Sequence, residues 1–429
     1  MISVLDSRYK NSTLVSSSLF DQSTYYIQRA ILECKWVLFL NKKDVIMLVQ
    51  PRKVEDLLKV LYSNDEKVKS TIIKEIGYIE QQTKHDVKAI ELWVRDYLTA
   101  NNDKELVHIG LTSEDINNAA YSVILQEAKT FYSNVMFELS QSLPVIFNNS
   151  TKFCTKTHGQ LATPSTFKEQ YDVYQYRLQE ALTLLDGIEL SVKWGGAVGN
   201  HSALSFITDL DTKQLSYQFV TEEISSLLTF ENHTTQVSNR DNLCLALNSI
   251  KCINNILIDM CTDTWLYLSY GLLVQSADGI GSSVMPNKVN PIKFEQATGC
   301  LKIANGLINT ITDSISISRM QRDLSDSVMM RQIGMIFGNC ELAVNSVSKG
   351  LKEIVVNDEL CTNELNDNYQ VYSELLQTAI RVNGSSCDGY EKVRDLTQGK
   401  RLNRNEFLTI VDQCKNIVSP EHYQRLIKL

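Results

Sequence analysis

Proline placement constrains this 429-residue chain more than any other feature: it has six prolines, none between Pro164 and Pro286 and none between Pro291 and Pro420. A proline inside a helix removes a hydrogen bond and clashes with the preceding turn. The long proline-free stretches are therefore where helices of many turns can form. Their apolar residues are spaced accordingly. Tyr26, Ala30, Leu32, Trp36 and Leu40 share one broad face, as do Phe167, Tyr171, Tyr174, Leu178, Leu182 and Leu185, and later Leu243, Leu247, Ile250, Ile253, Leu257 and Met260. No alternating apolar run and no strand–helix alternation interrupts them, so the sequence predicts an all-α protein. Helices of roughly 30 residues, about 45 Å at the usual rise, are long for a monomer, and their wide apolar faces suit bundling between chains.

Between two such stretches lies Gly281 to Gln296, GSSVMPNKVNPIKFEQ, polar, bounded by glycine and broken by proline. Loops on a rigid scaffold are where reactive groups concentrate. Gly279 and Gly281 would give hinge freedom, and Pro291 can open the next helix at its first turn. A surface connection explains the pattern equally well. Net charge is −8, so no basic field attracts a nucleic-acid backbone, and an anionic ligand must be held by local cations. Apolar runs are too short for a membrane span, no signal peptide is visible in MISVLDSRYK, and the ten cysteines contain no C-x-x-C. They read as reduced thiols of a cytoplasmic protein, with no metal site.

Shorter motifs follow in order. Thr83 to Lys88 contains Lys84-His85-Asp86 at a cap or break. LVHIGLTSEDINN places Thr112 or Ser113 before acidic Glu114 and Asp115, a helix N-terminus that can serve as a plain cap or hold an anion. That helix should run to about Leu143, where Pro144 interrupts. In THGQLATPS, Thr163 as N-cap and Pro164 at the first helical position would start a long helix, with His158 just before it as a ligand contact or a loop histidine. WGGAVGN, from Trp194 to Asn200, lacks the dinucleotide pattern and a preceding strand, and reads as a tight bend. A helix from about Ile315 to Val356 carries Arg319, Arg322, Asp323, Asp326, Ser327 and Arg331. A ligand would meet both Arg322 and Arg331 only if its start were unwound.

GSSVMPNKVNP resembles the signature of the fumarase/aspartase superfamily, G-S-S-x-M-P-x-K-x-N, and KHDVKA, HIGLTSEDINN, THGQLATPST, TTQ, SRMQRDLSDS and LTQGKR resemble the adenylosuccinate lyase family within it, from Arg8 to about Arg401. The resemblance implies three domains: 1–105, N-terminal and helical; 106–356, a central long-helix bundle carrying the signature loop 278–291; and 357–429, C-terminal and helical. It implies a homotetramer with active sites built from three subunits, a nucleotide substrate, no nucleic acid or membrane partner, and no cofactor. The family reaction is β-elimination of fumarate from adenylosuccinate, giving AMP, and from the succinyl-carboxamide intermediate of purine synthesis. A proton leaves a carbon beside a carboxylate and a nitrogen leaves opposite, so the site needs a base, an acid and donors aimed at the carboxylate.

Position by position, the resemblance makes Ser282 the base and His158 the acid. Lys288 and Asn290 become carboxylate donors, and Glu295 the group that orients the histidine. It implies substrate binding by Ser283, Val289 and Gln296, by Lys84, His85, Asp86 and His108, and by Thr112, Ser113 and Gln236. Arg322, Ser327, Arg331, Arg8 and Tyr9 complete that set, arginines suiting phosphate through paired hydrogen bonds. A loop from Asp278 to Asn290 that opens to substrate and closes against water is expected. Three local departures stand out: Gln296 where asparagine is common, Asp278-Gly279 before the signature, and Tyr372-Ser373-Glu374 in the third domain. Another lyase of the superfamily, or a helical scaffold without activity, are the competing readings.

Overall fold

The computed structural model describes residues 3–63, 65–275, 285, 288–384 and 388–429. Helix accounts for 69% of the chain. The strands, among the described residues, form only three two-stranded pairs, so the class is all-α, as the apolar spacing of the proline-free runs predicts. The longest helices are Ser113–Ile146, Asp241–Ser269, Ile292–Ile315, Gln22–Lys42, Phe167–Asp186 and Ile333–Leu351. The chain forms two compact units, one from Met1–Phe137, Glu180–Asn255 and Ala297–Asn345, the other from Glu138–Gln179, Ile256–Gln296 and Ser346–Leu429. This grouping by contacts cuts the chain differently from three consecutive segments.

In the first unit, Gln22–Lys42 is capped by Asp21, whose carboxylate accepts from Ser23 N. It buries Ala30, Ile31, Cys34 and Val37 in one core with Val54, Leu57 and Leu61, Ile72 and Ile76, and Ile90 and Val94 of the next three helices. Each such aliphatic side chain contributes about 1.5–3 kcal/mol by leaving water. The other face of the helix carries Trp36, fully buried, with ring centroids 4.8 Å from Phe219 and 5.4 Å from Trp194. Trp36 Nε1 donates to Ile109 O at 2.9 Å, which ties the helix to the loop carrying His108 and Thr112. WGGAVGN is a tight bend as expected. Gly199 has φ +74, and a Cβ there would stand 2.2 Å from Thr234 O, so only glycine fits. A strand does precede the bend, but it is only Ser191–Val192.

In the second unit, Lys152–Thr157 and Gln160–Thr166 form a hairpin whose turn is His158-Gly159, with φ +53 and +75. This corrects the expected helix start: Pro164 pairs with Cys154 in the hairpin, and the helix begins at Phe167. Proline is tolerated because each strand of a lone hairpin has a free edge, and the register shifts between Cys154 and Lys156. Phe153 stacks on Phe167 at 4.4 Å, which fastens the hairpin to that helix. A second core of Tyr369, Leu376, Ile380, Phe407 and Val411 joins the C-terminal helices, and Asn403 with Glu406 forms a capping box.

Other boundaries also differ. Ser113–Ile146 continues through Pro144, which sits in the last turn. Pro291 directly precedes the Ile292–Ile315 helix instead of opening it. Ile315 to Val356 is not one helix: Ile317 to Leu324 is irregular, Ser325–Met330 is a short helix, Ile333–Leu351 a long one and Ile354–Val356 a strand. By length and composition Asp241–Ser269 is apolar enough to cross a membrane. Its buried polar groups are answered within each unit: Asn254 accepts from Tyr132 Oη at 2.9 Å, and Thr264 pairs with Tyr171 Oη at 2.7 Å. That is the pattern of a core helix.

Candidate active site

The first unit holds a cavity of about 470 Å³. Lys84, His85 and Asp86 reach it because Lys84 ends the Glu66–Thr83 helix in the left-handed conformation, φ +54, and His85 caps Asp86–Tyr97, accepting from Lys88 N at 3.2 Å. Thr112 and Ser113 enter at the start of Ser113–Ile146. There Asp115 Oδ2 accepts from Thr112 N at 2.8 Å, and Gln236 arrives from the link after Thr234-Thr235. Arg322, Ser327 and Arg331 complete the wall. The irregular stretch before Ser325–Met330 is what allows Arg322 and Arg331 to face one space, the unwinding that a shared ligand required.

The cavity wall also contains Arg29, Glu80, Tyr121 and Arg240, which no sequence signal marked as site residues, and Glu114 and Asn117, which the sequence marked only as part of the LTSEDINN helix start. Arg29, buried, pairs with Asp86 Oδ2 at 3.1 Å, and Arg331 approaches the same oxygen at 3.8 Å. Burial pulls the Asp86 pKa up, but Arg29, the Val87 N–H and Arg331 outweigh it and hold the carboxyl below its ordinary value. Glu114 is the reverse case: burial raises its pKa, and Arg240 and Arg322 offset that only in part. Asn117 Oδ1 is buried at the wall without a hydrogen-bond partner. Arginines and a lysine on one wall can hold an anion within an acidic chain.

His108 does not line this cavity. It stands at φ +67, with Nδ1 2.6 Å from Glu33 Oε1, and Glu33 is fully buried. Burial works against the imidazolium, but Glu33 prevails and raises the His108 pKa. In Glu33→Gln, burial is opposed only by the more distant Glu91 and Asp115, so the His108 pKa should fall from its raised position. An NMR titration of the ring reads this directly, and an unchanged midpoint would assign the pull to another group. A raised folded pKa makes the pair's stabilisation full below about pH 6.5 and lost as pH climbs through the raised value. Arg8 and Tyr9 also lie off the cavity wall; Arg8 rests over the Tyr9 ring at 5.6 Å.

The second unit holds a cavity of about 530 Å³ lined by Lys288, Val289, Asn290 and Glu295, together with Trp265 and Gln275. Trp265 Nε1 donates to Glu295 Oε1 at 3.1 Å, a contact the sequence did not signal. Glu295 stands in the first turn of Ile292–Ile315, where a carboxylate is favoured by the helix dipole. Gln296 turns to Ser346, accepting from its Oγ at 3.1 Å. His158 is exposed on the hairpin turn, and no hydrogen bond or ion pair joins it to Glu295 within the chain. Ser282, Ser283, Asp278, Gly279 and Gly281, and with them most of the expected mobile loop, lie outside the described residues.

A fumarate lyase from Mesorhizobium sp. BNC1 superposes with a TM-score of 0.74 at 14% identity, covering 96% of this chain and 93% of that one. The β-carboxy-cis,cis-muconate cycloisomerase of Acinetobacter calcoaceticus gives 0.73 at 16% identity, with the same coverage. At these identities the likeness defines a fold, that of the fumarase/aspartase-like helical lyases. The Lyase family model matches residues 15–306, and the Adenylosuccinate lyase C-terminal model matches 318–429. Adenylosuccinate lyases from Buchnera aphidicola subsp. Baizongia pistaciae and Legionella pneumophila strain Corby are each 33% identical. They cover 96% and 100% of this chain, over 91% and 94% of their own lengths. The chain is a lyase and belongs to the adenylosuccinate lyase family.

Proposed function

We propose that the protein releases fumarate by β-elimination from adenylosuccinate, giving AMP, and from the succinyl-carboxamide ribotide intermediate. The observation that carries this reading is the arginine-rich wall of the first cavity, Arg29, Arg240, Arg322 and Arg331 with Lys84, in a chain of net charge −8. Such a wall suits a phosphorylated, carboxylated ligand. Thr112, Ser113, Gln236, His85, Asp86 and Ser327 would supply the surrounding hydrogen bonds, with His108, Arg8 and Tyr9 as further contacts.

For the chemistry we assign Ser282 as general base and His158 as general acid. A serine hydroxyl is a poor base until backbone N–H groups and a cation stabilise its anion. As the carbon-bound proton leaves, charge builds on the neighbouring carboxylate, which Lys288, Asn290 and Ser283 would receive, with Val289 and Gln296 shaping that pocket. The departing nitrogen takes its proton from His158, whose ring Glu295 would orient. No hydrogen bond or ion pair joins His158 to Glu295 within the chain, which suits a site shared among the subunits of a homotetramer. We further assign the three consecutive domains 1–105, 106–356 and 357–429, and a cytoplasmic location.

Incubation with adenylosuccinate should release fumarate and AMP in equal amounts, read by absorbance and chromatography. AMP should inhibit competitively, as it would not for a lyase acting on argininosuccinate, fumarate or aspartate. Absence of turnover with every one of these substrates would favour a scaffold without activity.

A further inference from the structure

Arg240 lies deep in the wall of the arginine-rich cavity, 6% exposed and in the left-handed conformation at φ +61. Its Nη2 donates to Glu114 Oε1 at 2.7 Å, and its Nη1 stands 2.5 Å from Asp326 Oδ2. Arg322 shares both carboxylates at longer range: its Nη1 is 3.5 Å from Glu114 Oε2 and 3.2 Å from Asp326 Oδ2, and its side chain is 26% exposed. The four groups sum to zero charge, two carboxylates against two guanidiniums. Arg240 is the tightly bound cation of the set and Arg322 the loosely bound one that reaches the cavity.

We propose that Arg240 is a positioning residue: it neutralises Glu114 and Asp326 from within, so that the Arg322 guanidinium is left to bind an anionic group of the ligand. Without Arg240, both carboxylates would turn on Arg322 and the cluster would carry a net negative charge toward the cavity. A buried carboxylate that loses its partner takes whichever cation remains. Arg322 would then be held by its own protein instead of by the ligand. The short Arg240 contacts set beside the long Arg322 contacts are what give the two arginines different jobs. This inference rests on the reading of the cavity as the nucleotide site.

The test is calorimetric binding of AMP to the full-length protein. Arg240→Met should weaken AMP binding roughly tenfold, the effect of one unit charge acting across partly solvated protein. Glu114→Gln added to it restores neutrality and should recover most of the affinity. Glu114→Gln alone frees Arg322 further and should bind AMP at least as tightly as the parent. If Arg240→Met does not fold, the single Glu114→Gln decides: tighter binding supports the assignment, and weaker binding with an unchanged circular dichroism spectrum overturns it. A double variant that folds but stays as weak as Arg240→Met also overturns it. Arg322→Ala separates the two readings. If it leaves AMP affinity unchanged, the nucleotide site is misplaced. If it weakens binding while the Arg240 and Glu114 variants do not alter it, only the role of Arg240 fails.

Discussion

His158→Asn should lower kcat for adenylosuccinate cleavage by about 10²–10⁴-fold, the usual contribution of one general acid, with the fold and AMP affinity unchanged. The separation is possible because of where the histidine stands. It is exposed on the turn between Lys152–Thr157 and Gln160–Thr166, and its ring makes no hydrogen bond or ion pair with any described residue. Among the described residues, no hydrogen bond or ion pair depends on that ring. The backbone does depend on the position, at φ +53, a region where asparagine is at ease and most other residues are strained. Asparagine therefore keeps the turn while removing the proton donor, and alanine serves as the harsher control. Ser282→Ala should show a loss of similar size. The two together should lose little more than either alone if base and acid act in one concerted step. Parent-like kcat in His158→Asn, measured under saturating substrate, would remove His158 from the chemistry.

How much of this could be read from the chain alone depends on how local each signal is. Long helices were legible because one residue type forbids them and the apolar spacing repeats over many turns, as in Leu243 to Met260. Thr163-Pro164 was misread because a threonine before a proline is the mark of a helix start and is equally compatible with a free hairpin edge. What settled it was the pairing of Pro164 with Cys154 and the stacking of Phe153 on Phe167. Lys84-His85-Asp86, Thr112-Ser113 and Gln236 were marked because each sits in a short motif resembling a known family. Arg29 and Arg240 were not, and Glu114, inside the Thr112-Ser113 motif, was read only as an acid of the helix start. Arg240 meets Glu114 across 126 positions, and Arg29 meets Asp86 across 57. No spacing rule connects residues that distant, since only the folded backbone brings them within reach. Arg322 and Arg331 fell between these cases: the sequence showed that a continuous helix would keep them apart, and the irregular stretch before Ser325 resolved it.

The largest stability effect should come from Lys193→Met, about 3–5 kcal/mol, the cost of breaking a buried ion pair from one side. Lys193 and Asp115 are both fully buried, with Nζ 2.6 Å from Asp115 Oδ1 and 2.6 Å from Gly196 O. The same carboxylate accepts from the N–H groups of Gly195 at 2.9 Å and Gly196 at 3.3 Å, and through its other oxygen from Thr112 N at 2.8 Å. Methionine fills the volume of the lysine stem but leaves a buried carboxylate facing only dipoles. Against a typical domain stability of about 5–15 kcal/mol, that loss is a large share. Lys193→Met with Asp115→Asn should recover part of it: the amide oxygen still accepts from Gly195 and Gly196 and the charge is gone, but the amide nitrogen that replaces the other oxygen is a donor and leaves Thr112 N–H unsatisfied. Asp115→Leu should not, since it strands every one of these N–H groups. Urea unfolding at fixed protein concentration, needed because assembly would shift the midpoint, measures all three. The consequence reaches the cavity, because Asp115 holds the Thr112 N–H at the helix start and clamps the bend leading to Gly199. AMP affinity should therefore fall in Lys193→Met and return less completely than stability in the double variant, which no longer accepts from Thr112 N–H. Stability that falls while AMP affinity holds would mean the helix start keeps its shape without the pair.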